Sequence, residues 1–171
     1  MRIELDGRAR LLGDDVNTDY IIASSRKKET LDPHALKRYM FESIDPAFAA
    51  TVRPGDLLVA GRNFGCGSAM EVAVTVLLAA GIRAVLARSF ARTYYRNAIN
   101  NGLTPIECDT GAIREGARVH AVLDDAGVRV LGEAGRREIA GRPLPSIVLD
   151  ILREGGLVPY FRLHHDFGPR D

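Results

Sequence analysis

The run Gly61-Arg62-Asn63-Phe64-Gly65-Cys66-Gly67-Ser68-Ala69-Met70-Glu71 constrains this chain more than any other stretch. Leu57-Leu58-Val59-Ala60, just before it, is apolar throughout, as a buried strand is. Ala69 to Ala80, just after it, holds no proline or glycine and almost no polar side chain. That predicts a buried helix, with Gly81 where a helix C-terminus favours glycine. The glycines therefore fall in a strand-to-helix turn, where backbone of positive φ or a closely approaching ligand requires them. The turn opens onto a helix N-terminus, whose unpaired N–H groups favour an anion. Ser68 is expected at the N-cap, with Glu71 three residues on completing a capping box. Such boxes are common, so Ser68 as a plain cap stands open beside Ser68 as a reacting group. The turn lacks Gly-Lys-Ser/Thr, which excludes a Walker loop, and lacks the full Gly-x-Gly-x-x-Gly of dinucleotide-binding turns.

The rest of the chain reads as strands alternating with helices. Arg2 to Leu12 alternates loosely and predicts a strand. Gly13 to Asp19 is a turn cluster, and Asp19 stands at its edge directly before the apolar Tyr20-Ile21-Ile22. Ala23 to Thr30 is a polar loop carrying Arg26, Lys27 and Lys28, either solvated or facing a carboxylate. Asp32-Pro33 starts a helix to about Glu42, and Asp45-Pro46 starts a shorter one. Ala84 to Ala87 is a second short buried strand, after which Ser89 is expected to cap a helix over Phe90–Asn101 that ends at Gly102. Arg88, Arg92 and Arg96 recur at helical spacing there, as a solvated face or a contact surface for an acidic group. Leu103 to Cys108 contains Pro105, which places it at a sheet edge or a bulge. Arg118–Leu123 and Val128–Leu131 flank Asp124-Asp125-Ala126-Gly127, a hairpin signal. Pro143 to Pro145 precede a helix, Ser146 to Glu154, ended by Gly155-Gly156. His164 and His165 read as part of a polar tail. The pattern is that of a mixed α/β fold: a small mixed sheet flanked by helices, with an added antiparallel hairpin.

At 171 residues the chain suits one domain and buries a core without staples. Its 23 Lys plus Arg nearly cancel its 22 Asp plus Glu, so no general field attracts nucleic acid or an anionic membrane. Two cysteines, Cys66 and Cys108, are too few for a disulfide framework. No apolar run approaches a membrane span, and Met1 to Asp6 lacks the apolar region of a signal peptide. A reduced, cytoplasmic setting is expected, with neither nucleic acid nor membrane as partner and no metal site on the chain.

Several of these segments together resemble a known family. Arg62 to Ser68 followed by Ala69-Met70-Glu71, with Asn17-Thr18-Asp19, Arg53-Pro54-Gly55-Asp56, Ala87 to Arg92, Tyr95 to Gly102 and Glu154 to Leu157, occur in the order found in the small subunit of isopropylmalate isomerase. Its relatives are homoaconitase and dimethylmalate dehydratase, of the aconitase superfamily. The family's usual run is Asn-Phe-Gly-x-Gly-Ser-Ser-Arg-Glu. This chain departs from it at Ala69, for the second serine, and at Met70, for the arginine.

The resemblance implies a single aconitase-like swivelling β/β/α domain over residues 1–171. It implies a hydro-lyase subunit acting on a 2-hydroxy di- or tricarboxylic acid, in a leucine-biosynthesis-like role and inactive without its partner. A dehydratase must remove a weakly acidic proton beside a carboxylate and expel hydroxide, which calls for a positioned base and a Lewis acid. The cofactor so implied, a four-iron, four-sulfur cluster, takes more cysteines than this chain has and is expected on a large partner subunit. Ser68 then stands where the family has its base. Thr18 and Asp19 stand at the substrate cleft, and Arg26 lies in the loop that helps choose the substrate. Asn63, Gly65 and Gly67 shape the pocket, and Met70 replaces a carboxylate-binding arginine. Two alternatives stay open, a catalytically degenerate subunit that regulates or stabilises a partner and a stand-alone anion-binding domain; the isolated chain is also a candidate homo-oligomer.

Overall fold

The computed structural model describes residues 2–132 and 138–166. Strand β1 (Arg2–Leu11) organises the sheet because it changes partner along its length. Arg2 to Arg8 pair antiparallel with β5 (Arg118–Asp124), whereas Ala9 to Leu11 pair parallel with β2 (Leu57–Val59). Beyond β2, β3 (Ala84–Ala87) and β4 (Thr104–Glu107) add in parallel. Beyond β5, β6 (Gly127–Leu131) and β7 (Glu138–Gly141) add antiparallel. The order is β4-β3-β2-β1-β5-β6-β7, one seven-stranded mixed sheet that includes the expected hairpin. Pro105 sits on edge strand β4, where its missing N–H disrupts no inner ladder. The sheet curls until its edges touch at one end: Cys108 bridges Gly141, and Arg142 N–H donates to the Glu107 carbonyl at 2.8 Å.

Every residue of β2 and β3 is buried, which is why both read as unbroken apolar runs. Leu57, Val59, Leu86, Ile106, Val119 and Leu123 pack on one side of the sheet. On the other, Leu58 and Val85 pack with Phe41, Ile21 and helix α4 (Val72–Ala79). Each such aliphatic side chain contributes about 1.5–3 kcal/mol when fully buried. A smaller cluster joins Ile99 of α5 (Arg92–Asn101), Ile151 and Leu152 of α6 (Ser146–Arg153), and Tyr160 of α7 (Leu157–His164).

Several helix boundaries differ from expectation. Pro33–Leu36 (α2) is helical and continues as a 3-10 turn, Lys37–Tyr39, and the next helical turn is Phe48–Thr51 (α3). Helix α4 starts at Val72 with Glu71 at its N-cap, so Ser68 does not cap it and no capping box forms. The cause is tertiary: Thr18 Oγ donates to the Ser68 carbonyl at 2.8 Å and Asn97 Nδ2 to the Met70 carbonyl at 3.2 Å, which holds 68–70 off the helix axis. Helix α5 starts at Arg92 with Ala91 at its N-cap, so Ser89 is no cap either. Helix α7 occupies what reads as a polar tail; its buried Tyr160 anchors it, and Pro159 falls in the first turn, where no N–H is missed.

The N-terminal end of β2 carries a buried ion network. Asp56 is 3% exposed and accepts two hydrogen bonds from Arg8, at 2.7 and 3.0 Å, and one from Arg53 N–H at 2.8 Å. Burial pushes the Asp56 carboxyl up, but these bonds outweigh it and hold it below the usual carboxylate range. Arg10, also buried, lies 3.7 Å from Asp56, bonds Glu115 at 3.0 Å and stacks on Phe48 at 4.5 Å.

Candidate active site

Strands β1, β2 and β3 run parallel, so the segments that follow them meet beyond their C-terminal ends, where ligands bind in parallel sheets. Those segments are Asn17–Asp19, Gly61–Met70 and Arg88–Arg92. Backbone bonds lace them together. Gly65 N–H donates to the Val16 carbonyl (2.8 Å), Thr18 N–H to Cys66 (2.8 Å), Phe64 N–H to Ser89 (3.0 Å) and Ala91 N–H to Phe64 (2.9 Å). Phe64 is fully buried and packs edge-on against Phe90 and Tyr94, which pins the middle of the loop.

The two inner glycines are required by both backbone and space. Gly65 has φ +80°, and a Cβ there would lie 2.1 Å from the Tyr94 ring. Gly67 has φ +93°, and a Cβ there would lie 2.4 Å from the Asn17 side chain. Cys66 between them is half-buried and free. Asn17 uses the space to cap the short helix α1 (Thr18–Ile21), accepting from Asp19 N–H. The Thr18 hydroxyl, 1% exposed, fixes the carbonyl of Ser68, while Ser68 itself is exposed. Ser89, in place of capping, accepts from Asn63 N–H through its hydroxyl at 2.8 Å.

Ser68, Gly65, Gly67 and Thr18 line a small cavity of about 70 Å³, closed opposite by Arg92 and Thr93 of α5. Helix α5 has no side-chain cap, and its first residues, Arg92 to Tyr94, line this cavity. The helix start expected to serve the glycine loop was the one following it in sequence; the one that does is α5. Met70 is 5% exposed and stands between this cavity and a larger one, about 430 Å³, that it shares with Lys27, Leu31 and Val72. The Met70 sulfur lies 3.5 Å from the Ser24 hydroxyl.

The expected site residues separate into two groups. Ser68, Thr18, Gly65, Gly67 and Met70 converge on one cavity. Asp19 lies beside it, accepting from both the N–H and the hydroxyl of Ser24, whose bonds hold its carboxyl below the usual range. Asn63 and Arg26 line neither cavity around Met70. The Asn63 amide donates to Asp15 at 2.9 Å. Arg26 forms a paired bridge to Glu42 (2.9 Å for both bonds), reaches Glu29 at 3.3 Å and stacks on Tyr39 at 3.9 Å. Of the three cations in that loop, Lys27 is the one on the Met70 cavity. The sequence singles out Arg92 only as part of an arginine stripe and Thr93 not at all, and places neither beside Ser68. The signal was available: they follow β3, which neighbours β2 in parallel.

Cys108 is buried, and burial pushes its thiol up to about 12. Among the described residues no group of three or more His, Cys, Asp or Glu is placed to hold a metal ion, and no helix is long and apolar enough to cross a membrane.

Residues 17–111, the part that builds this site, match the family described as the aconitase C-terminal domain. The chain is 44% identical to 3-isopropylmalate dehydratase small subunit 1 of Methanopyrus kandleri, covering 99% of this chain and 98% of that protein. It is 42% identical to the methanogen homoaconitase small subunit of Methanocaldococcus jannaschii, covering 92% and 91%. Its fold is similar to the crystal structure of 3-isopropylmalate dehydratase from Methanocaldococcus jannaschii, with TM-score 0.87 and 40% identity over 95% of this chain and 96% of that one. On family match, sequence and fold together, the chain belongs to the aconitase C-terminal domain family, with the small subunits of 3-isopropylmalate dehydratase and homoaconitase as its relatives.

Proposed function

We propose that this chain is the small subunit of a heteromeric hydro-lyase. In this reading it acts as one swivelling domain, in the cytoplasm, on a 2-hydroxy di- or tricarboxylic acid, and Ser68 is the base. One observation carries the proposal. Ser68 is exposed, yet its carbonyl is held by a buried threonine, and two glycines that tolerate no side chain precede it. A serine that merely caps a helix would not need that framework, and this one caps nothing.

The proton side of the reaction falls to this chain. Ser68 reacts as an alkoxide, its own proton having left beforehand; it takes the proton beside the substrate carboxylate and becomes a neutral hydroxyl, so the charge its oxygen carries before that transfer needs stabilisation. The uncapped N-terminus of α5, on the same cavity, supplies aligned N–H dipoles for it. Thr18 and Gly67 fix Ser68, and Asp19, held ionised, positions Ser24 against Met70. Asn63 acts one step back, tying the loop to Asp15, and Arg26 holds the early loop to Glu42. Met70 offers the substrate an apolar wall, and Lys27, on the larger cavity beside it, a cation for a distal carboxylate.

An iron–sulfur cluster does not fit this chain. Its two free cysteines lie on different elements, Cys108 is a buried thiol, and the described residues build no ligand set. In this reading the cluster belongs to a large partner subunit, and the isolated chain is colourless and inactive.

The test is reconstitution. The chain is co-purified with a cluster-bearing large subunit of this family and assayed on a panel of 2-hydroxy and unsaturated diacids, isopropylmalate and homoaconitate among them. Turnover by the pair and none by either part supports the proposal. Turnover by this chain alone, or a stable pair inactive on every acid, defeats it.

A further inference from the structure

Arg92 lines a second cavity besides that of Ser68, and the second one is larger, about 660 Å³. Its charged lining is Arg92 and Arg96 of α5, Arg142 after β7, and Glu107 at the end of β4. Three guanidinium groups thus face one carboxylate. Arg92 and Arg96 are one helical turn apart, both exposed, and make no ion pair among the described residues. Arg142 comes within 3.6 Å of Glu107, too long for a good hydrogen bond, and its side chain is largely exposed. Its backbone is fixed, because its N–H completes the contact that closes the sheet. Phe90, Pro143, Pro145 and Val148 supply apolar walls.

We propose that this cavity is a second binding site, distinct from that of Ser68, for a small di- or tricarboxylic acid. Paired guanidinium groups bind carboxylates through charge-assisted bonds, and the excess of cations requires more than one of them. The apolar walls match the carbon skeleton of such an acid and offer nothing to inorganic phosphate. The volume lies within the range of small-ligand sites. The site does not depend on the proposed reaction, because its occupancy is read by binding and not by turnover.

The experiment is calorimetric titration of the full chain with citrate, with acetate and inorganic phosphate as comparisons. Arg96→Gln and Arg142→Gln probe the second cavity, Ser68→Ala the first, and circular dichroism checks that each variant is folded. Saturable citrate binding is expected, weakened about tenfold by either arginine variant and unchanged by Ser68→Ala, with acetate and phosphate each at least about tenfold weaker than citrate. The proposal is overturned by absence of saturable binding, by binding indifferent to both arginines, by binding lost in Ser68→Ala, or by phosphate matching citrate. Unchanged citrate binding combined with weaker assembly onto a large subunit would instead make the cavity an intersubunit surface.

Discussion

The two ends of strand β2 show what polar residues do when they stabilise a fold and when they are held out for chemistry. At the N-terminal end, Asp56 is buried and paired: Arg8 and the Arg53 N–H bond it, Arg10 approaches it with an Nη1 that makes no hydrogen bond, and Glu115 bonds Arg10. At the C-terminal end, the N–H groups of Gly61 to Gly65 are bonded and the Ser68 carbonyl is held, but the Ser68 side chain faces outward. A buried charge left unpaired costs several kcal/mol, so the first end has to be closed. An exposed hydroxyl costs little to leave free, so the second end can keep a reactive group ready. The difference separates stability from activity, and substitutions should respect it.

The sharpest break is Ser68→Ala in the assembled enzyme. General-base contributions of roughly 10²–10⁴-fold set the expected loss in kcat. Because Ser68 caps no helix, thermal melting of the chain should stay within about 1 °C of the wild type. A variant that melts lower and still turns over would return Ser68 to a structural role.

Asp56→Ala should do the reverse, costing about 3 kcal/mol in urea unfolding while the folded fraction keeps its kcat. It also carries a pH signature. The Asp56 carboxyl titrates lower in the folded chain than in the unfolded one, so the unfolded state takes up its proton first as pH falls. The stability this residue contributes is complete above the ordinary Asp value and is lost as pH drops through its lowered folded value. The wild type should weaken below about pH 4. Asp56→Asn should flatten that acid limb, and an unchanged limb would assign it to other carboxylates.

Met70→Arg tests where the two kinds of residue meet, since Met70 is packed in the core yet touches both cavities. A guanidinium there would sit beside Ser24 and the Asp19 carboxylate it bonds. We expect kcat/KM on the native acid to fall roughly tenfold, with relative gain on isopropylmalate. Steady-state kinetics on both acids decides it, and unchanged selectivity would remove Met70 from substrate choice.

The smallest effect is expected at Cys66, whose backbone carbonyl is used while its thiol is not. Cys66→Ala should keep kcat within about threefold. Loss of turnover would show that the thiol matters and that the loop's side chains are not silent.

Much of this was legible in the chain itself. Leu57–Val59 and Ala84–Ala87 read as buried strands because no polar residue interrupts them. Gly81 and Gly102 read as helix ends because both need positive φ, and they have φ +83° and +82°. Pro105 placed its strand at an edge, and Asp125-Ala126 placed the hairpin turn. The glycine loop was legible as a place of close backbone approach, and the order of motifs as that of a family. Helix α7 was not, because its single anchor, Tyr160, is buried by α5 and α6, which local periodicity does not report.

The sequence by itself determined the buried strands β2 and β3, the hairpin, where the required glycines lie, and that Ser68 follows them. Tertiary structure alone decided what those residues face. Thr18 and Ser68 are fifty positions apart, and their hydrogen bond draws Ser68 away from the helix that follows it in sequence. Arg26 meets Glu42 and Tyr39 in place of an open cleft. The N-terminus of α5, not of α4, opens on the glycine loop because β3 lies beside β2. Arg142 lines one cavity with Arg96 because the sheet curls until its edges touch. Local propensity acts over one or two turns of chain, whereas these contacts join strands and loops distant in sequence, so they become fixed once the whole sheet is formed.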